Sequence, residues 1–157
     1  MRDTQQCRVY HAENLLGQML DSCEQGSRIV EIEGVNLTLP PEYKFASIDS
    51  VRDYVNAACL KLDIATVRVR ERNRKGEGVN IAHYQFGEIA IPTGGSRWAL
   101  REIVVLHELS HHLARGDGHG PRFVAAFIDL LTRMMGPEAG LAMRLICAAD
   151  TKVKVGS

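Results

Sequence analysis

Four of the chain's six histidines fall within thirteen positions of the stretch HELSHHLARGDGHGPRF, residues 107–123. His107 and His111 are four apart, so on a helix they project from one face, one turn apart. Two imidazoles so placed can reach one zinc ion at about 2.0–2.1 Å each. Glu108 follows the first of them and is displaced around the helix. It can therefore hold a water against the metal without binding the metal, which is the logic of H-E-x-x-H: two ligands and one general base. A catalytic zinc site needs a third protein ligand and one open position. His119 is the natural third ligand, because Gly116 and Gly118 permit the left-handed backbone that a tight return beside the helix requires. Three neutral imidazoles leave the ion its full charge, which draws the pKa of a bound water down toward about 7.

His112 lies about 100° around the helix from His111 and is read as a surface or supporting residue. Asp117 could orient a ligand imidazole, but an Asp between glycines more often makes the turn. His83 and Tyr84 lie on a strand expected near the histidine helix. A hydrogen bond from either to a developing oxyanion is weighed there against an ordinary half-buried strand.

The elements that must position these residues follow from periodicity. Val9, Ala12, Leu15, Leu16, Met19 and Leu20 recur at helical spacing over residues 9–23. RIVEIE, 28–33, reads as a strand, and VNLTLPPEYKF starts extended and breaks at Pro40-Pro41. Residues 48–61 read as a second helix with Ser47 as its cap. TVRVRERNR, 66–74, alternates as a strand, KGEG at 75–78 is a turn, and VNIAHYQ and GEIAIP form a hairpin around Phe86-Gly87. Residues 97–114 are apolar around most of the circumference, which predicts a central, buried helix with Trp98 in the core. Pro121 suits the first turn of the next helix, whose stripe is Phe123, Phe127, Leu130, Leu131 and Met134. A last helix spans 138–149, and the tail is expected to fray. Mixed helix and sheet followed by helices predicts an α+β chain, a single domain over residues 1–157. Its small N-terminal sheet would pack on the central HExxH helix, with helices after it.

Composition narrows the function classes. The formal net charge is zero, so no global field draws the chain to nucleic acid or an anionic membrane. Cys7, Cys23, Cys59 and Cys147 are scattered with no CxxC pair, which argues against a cysteine zinc site. No apolar run approaches membrane-spanning length and no secretory signal is read at the start, so a cytoplasmic, monomeric protein with free thiols is expected. Arg68, Arg70, Arg72 and Arg74 alternate on one strand face. They offer a weak, auxiliary nucleic-acid contact; a solvated face, partly neutralised by Glu71 and Glu77, is the plainer reading.

HELSHH and HGPRF, with EIAIP and RWALREIVVL leading into them, resemble the zincin metallopeptidases, specifically the SprT-like group. They also resemble a family of metallohydrolases found in actinobacteria and their phages. The resemblance covers about the C-terminal third of the chain. It implies a zincin-like fold, with Zn2+ bound by His107, His111 and His119 and Glu108 as the base. It also implies an extended polypeptide substrate laid along an edge strand, which GEIAIP or VNIAHYQ would supply. The expected activity is a zinc-dependent hydrolase, best read as a peptidase. A metal-dependent nuclease and a catalytically silent, zinc-stabilised binding module are the alternatives. Against the nuclease stands Glu108, placed as a peptidase base; a silent module has no need of that residue.

Overall fold

The structure, a computed structural model, describes residues 3–72, 81–94 and 97–156. Among these residues lie five α-helices and two small sheets, an α+β architecture. In chain order the elements are α1 Gln6–Gln25, β1 Ile29–Ile32, β2 Val35–Thr38, α2 Ile48–Lys61, β3 Arg68–Glu71, β4 His83–Gln85, β5 Glu88–Ile91, α3 Glu102–Leu113, α4 Pro121–Met134 and α5 Pro137–Ile146. They fall into two compact units: Tyr43–His112, and Met1–Glu42 with Leu113–Ser157. The division falls at the last residue of the histidine-bearing helix α3.

In the Tyr43–His112 unit, α2 runs over the residues its apolar spacing predicts. Ser47 is its cap: the Ser47 hydroxyl accepts from Ser50 N–H (3.3 Å), and the Ser50 hydroxyl accepts from Ser47 N–H (3.1 Å). This reciprocal pair closes the start of the helix, where backbone N–H groups lack intrahelical partners. Val51, Val55, Ala58 and Cys59 form its buried stripe. The three-stranded sheet has the order β3-β5-β4, with β3 parallel and β4 antiparallel to β5. The hairpin expected at Phe86-Gly87 is present, with both residues left-handed (φ 50° and 81°), as a tight two-residue turn requires. Because β5 is central, GEIAIP cannot be the sheet edge; among the described residues β4 and β3 are the edges. Strand β3 is shorter than the alternating run 66–74, and Arg74, Glu77 and the KGEG turn lie outside the described residues.

The histidine helix α3 starts at Glu102, five residues later than its apolar run predicts. Upstream backbone groups are engaged elsewhere: Phe45 N–H donates to Leu100 O (2.8 Å) and Glu102 N–H to Tyr43 O (2.9 Å). A segment bonded to an extended neighbour cannot also close α-helical turns. Residues Arg97–Ala99 form only a short 3-10 turn, and Trp98 is 38% exposed rather than a core residue. From Glu102 to Ser110 every residue of α3 is buried, as a helix apolar around its circumference should be. The buried Glu102 carboxylate accepts from Tyr43 N–H (2.9 Å) and from the Tyr54 hydroxyl (2.5 Å). Burial, and then that carboxylate, push the Tyr54 hydroxyl pKa upward.

In the other unit, β1 and β2 form an antiparallel hairpin through Glu33-Gly34. Helix α1 buries Val9, Ala12, Leu16 and Leu20. Helix α4 begins with Pro121 in its first turn and buries Phe123, Phe127, Leu130 and Leu131, while Met134 is half-buried. Helix α5 ends at Ile146 and passes into a π-helical turn, Cys147–Thr151. The tail beyond it docks instead of fraying: Val153 is buried, Lys154 N–H donates to Gln5 Oε1 (2.7 Å), and Gly156 N–H donates to Pro121 O (2.8 Å). These backbone partners hold residues that local composition leaves unrestrained. No helix of the described residues is long and apolar enough to cross a membrane. No disulfide joins Cys7, Cys23, Cys59 and Cys147, and Cys7 is exposed.

Candidate metal centre

The i, i+4 spacing acts as expected. His107 and His111 stand on one face of α3, with ring centroids 5.1 Å apart. His107 and Glu108 are buried and His111 is half-buried. After Leu113 the chain turns through Gly116 (φ 81°) and Gly118 (φ 57°), left-handed values that cost glycine little. Asp117 makes this turn: its carbonyl accepts from Gly120 N–H (2.9 Å), and its carboxylate accepts from Phe123 N–H (3.0 Å) at the head of α4. Asp117 is thus the turn-maker, as the plainer reading has it. His119, at the end of this turn, is 5% exposed.

Along this continuous stretch of helix and turn, one ring nitrogen from each of His107, His111 and His119 lies within 4.8 Å of the other two. Two nitrogens sharing a tetrahedral zinc ion are about 3.4 Å apart, given bonds of about 2.1 Å. The donor set therefore fits a divalent metal that accepts imidazole, and zinc is one such ion.

A residue that local spacing could not reveal orients the third imidazole. Asp3 Oδ2 accepts from His119 Nδ1 (2.6 Å) and from His119 N–H (2.9 Å). With the proton held on Nδ1, the neutral ring presents its lone pair at Nε2, the tautomer a metal ligand needs. Burial works against ionisation of the Asp3 carboxyl. The hydrogen bonds from the His119 ring and backbone, with a bond from Gln5 N–H, outweigh it and hold the carboxyl below its ordinary pKa. Gln5 adds a second restraint: its side-chain amide donates to His119 O (3.1 Å). The His119 ring also packs against Tyr10 (5.0 Å between centroids) and, in a T-shaped arrangement, against Phe123 (4.9 Å between centroids). Asp3 is 116 positions from His119, so only the tertiary fold brings them together.

His112 stands outside the triad. Its Nδ1 is hydrogen-bonded to the Tyr84 hydroxyl (3.0 Å), which also accepts from Gly87 N–H (3.1 Å). Tyr84 thus ties β4 to the last turn of α3, beside His111. His83, the preceding residue on the strand, faces the other way and is exposed. Among the described residues, Glu88 pairs with Arg68 (3.8 Å) and Arg70, while Glu71 accepts from Thr93.

No family model, curated protein or solved structure matches the chain.

Proposed function

We propose that the chain is a zinc-dependent hydrolase that cleaves peptide bonds, with His107, His111 and His119 as the metal ligands and Glu108 as the general base. The observation that carries this reading is the convergence of three imidazole nitrogens within 4.8 Å, next in sequence to a buried glutamate. When bound, zinc would supply Lewis-acid polarisation of a carbonyl and acidify a water. Glu108 accepts the proton of the attacking water and later delivers it to the leaving amine, so hydroxyl adds to the carbonyl carbon as the C–N bond breaks. Asp3 keeps the His119 proton on Nδ1, and Tyr84, through His112, steadies the end of the helix that carries His111. The resemblance of HELSHH and HGPRF to zincins points the same way.

The test strips the purified protein with a chelator and restores zinc, with an unfolded polypeptide as substrate. Hydrolysis should disappear and return. Undiminished cleavage by the stripped protein contradicts the proposal. Hydrolysis of nucleic acid without cleavage of any polypeptide replaces it with a nuclease.

A further inference from the structure

Tyr84 of β4 meets His112 on the histidine helix, and the opposite face of the same sheet carries its own organisation. Side chains alternate along a strand, and the register aligns this face in two rows. One row is Arg70, Ala90 and His83; the other is Arg68, Glu88 and Gln85. In the first row a methyl group stands between two long side chains, whose strands lie about 10 Å apart across the intervening one. A hollow of about 210 Å³ opens there. At its rim Phe86 is 94% exposed and left-handed (φ 50°). A bulky residue in that conformation is disfavoured, and an exposed ring gains nothing from the core.

Two guanidinium groups line the hollow against a single carboxylate, Glu88, which leaves an excess of positive charge there. Glu88 already sits between Arg68 and Arg70, so the guanidinium groups meet a carboxylate within the sheet itself. Arg70 and His83 flank Ala90, a buried residue that lines the hollow. Strand β4 has only β5 as a strand neighbour among the described residues, so its outer edge can accept another extended chain. An added strand directs alternate side chains onto this face. A polypeptide can use that edge through its backbone, whereas nucleic acid cannot.

We propose that this face is a specificity site for acidic polypeptide segments: a chain extended along β4 places a Glu or Asp side chain between Arg70 and His83 over Ala90, and an apolar side chain against Phe86. This deepens the peptidase reading and rests on it, since it names the class of substrate that strand β4 would hold beside α3.

Labelled peptides of equal length, differing only in Glu, Gln or Lys at alternate positions, are titrated by fluorescence anisotropy against the full chain carrying Glu108→Gln. The Glu peptide should bind roughly fivefold tighter than the Gln peptide, the scale of an exposed charge pair with well-placed donors. That preference should vanish in Arg70→Gln. It should also vanish in Ala90→Leu, which fills the hollow and leaves the charge unchanged; circular dichroism checks that each variant folds, and Gln85→Ala should keep the preference. Equal affinity for the Glu and Gln peptides, or no binding of either, overturns the proposal. Tighter binding of a single-stranded DNA oligonucleotide, weakened by Arg70→Gln, overturns it in favour of nucleic acid. Parallel cleavage assays on wild type separate the two claims. Acid-selective binding without cleavage removes the peptidase and leaves the surface, while cleavage without charge preference removes the surface alone.

Discussion

Replacing Asp3 with alanine should weaken metal binding without touching a ligand. The carboxylate accepts two hydrogen bonds from His119, at 2.6 Å from the ring and 2.9 Å from the backbone. Alanine removes both, so His119 is no longer held in the tautomer that presents Nε2. Loss of such a carboxylate costs about 10- to 100-fold in metal affinity, or roughly 1.4–2.7 kcal/mol. Asp3→Asn should fall between wild type and alanine, because its carbonyl oxygen still accepts but carries no charge. Competition against a zinc chelator of known affinity measures the effect, and thermal melting of the metal-free proteins reports separately on the fold. If Asp3→Ala binds zinc as tightly as wild type, the orienting role assigned to Asp3 is wrong.

The turn gives a paired comparison. Gly118→Ala puts a Cβ 2.9 Å from Asp3 Oδ2 on a left-handed residue, so zinc affinity should fall along with stability. Gly116→Ala meets nothing within 4 Å and should cost only about 1 kcal/mol of backbone strain, with zinc affinity retained. His119→Ala should lose stoichiometric zinc by mass spectrometry, whereas His112→Ala should keep it. Phe123→Ala removes a fully buried ring and should destabilise by about 3–5 kcal/mol in chemical denaturation. Ser47→Ala should cost about 1 kcal/mol in the same assay and leave zinc affinity unchanged.

What could be read beforehand is what short-range chemistry controls. The limits of α2 follow from the Ser47 cap and a stripe of apolar residues. The pairing of His107 with His111 follows from helix pitch, and the return of His119 from two glycines. The turn at Phe86-Gly87 and the start of α4 at Pro121 are equally local. Long-range partners decide the remainder. Asp3 finds His119 across 116 positions, and Glu102 turns to Tyr43 and Tyr54. The late start of α3, with Trp98 at the surface, depends on backbone bonds to residues 43–45 that no periodicity encodes. The central position of β5 likewise depends on a parallel pairing with β3, and the docking of the tail on Gln5 and Pro121. Each is a contact between segments whose own patterns are silent about the other.

The most direct test of the central claim compares wild type with Glu108→Gln at matched zinc occupancy, on the same unfolded polypeptide. The amide is nearly isosteric with the carboxylate but cannot accept the proton of water. The variant should keep its zinc and its melting temperature while hydrolysis falls by about 10²- to 10⁴-fold. Equal rates in the two proteins would contradict the assignment of Glu108 as the base, and an absence of hydrolysis in zinc-loaded wild type would contradict the enzyme itself.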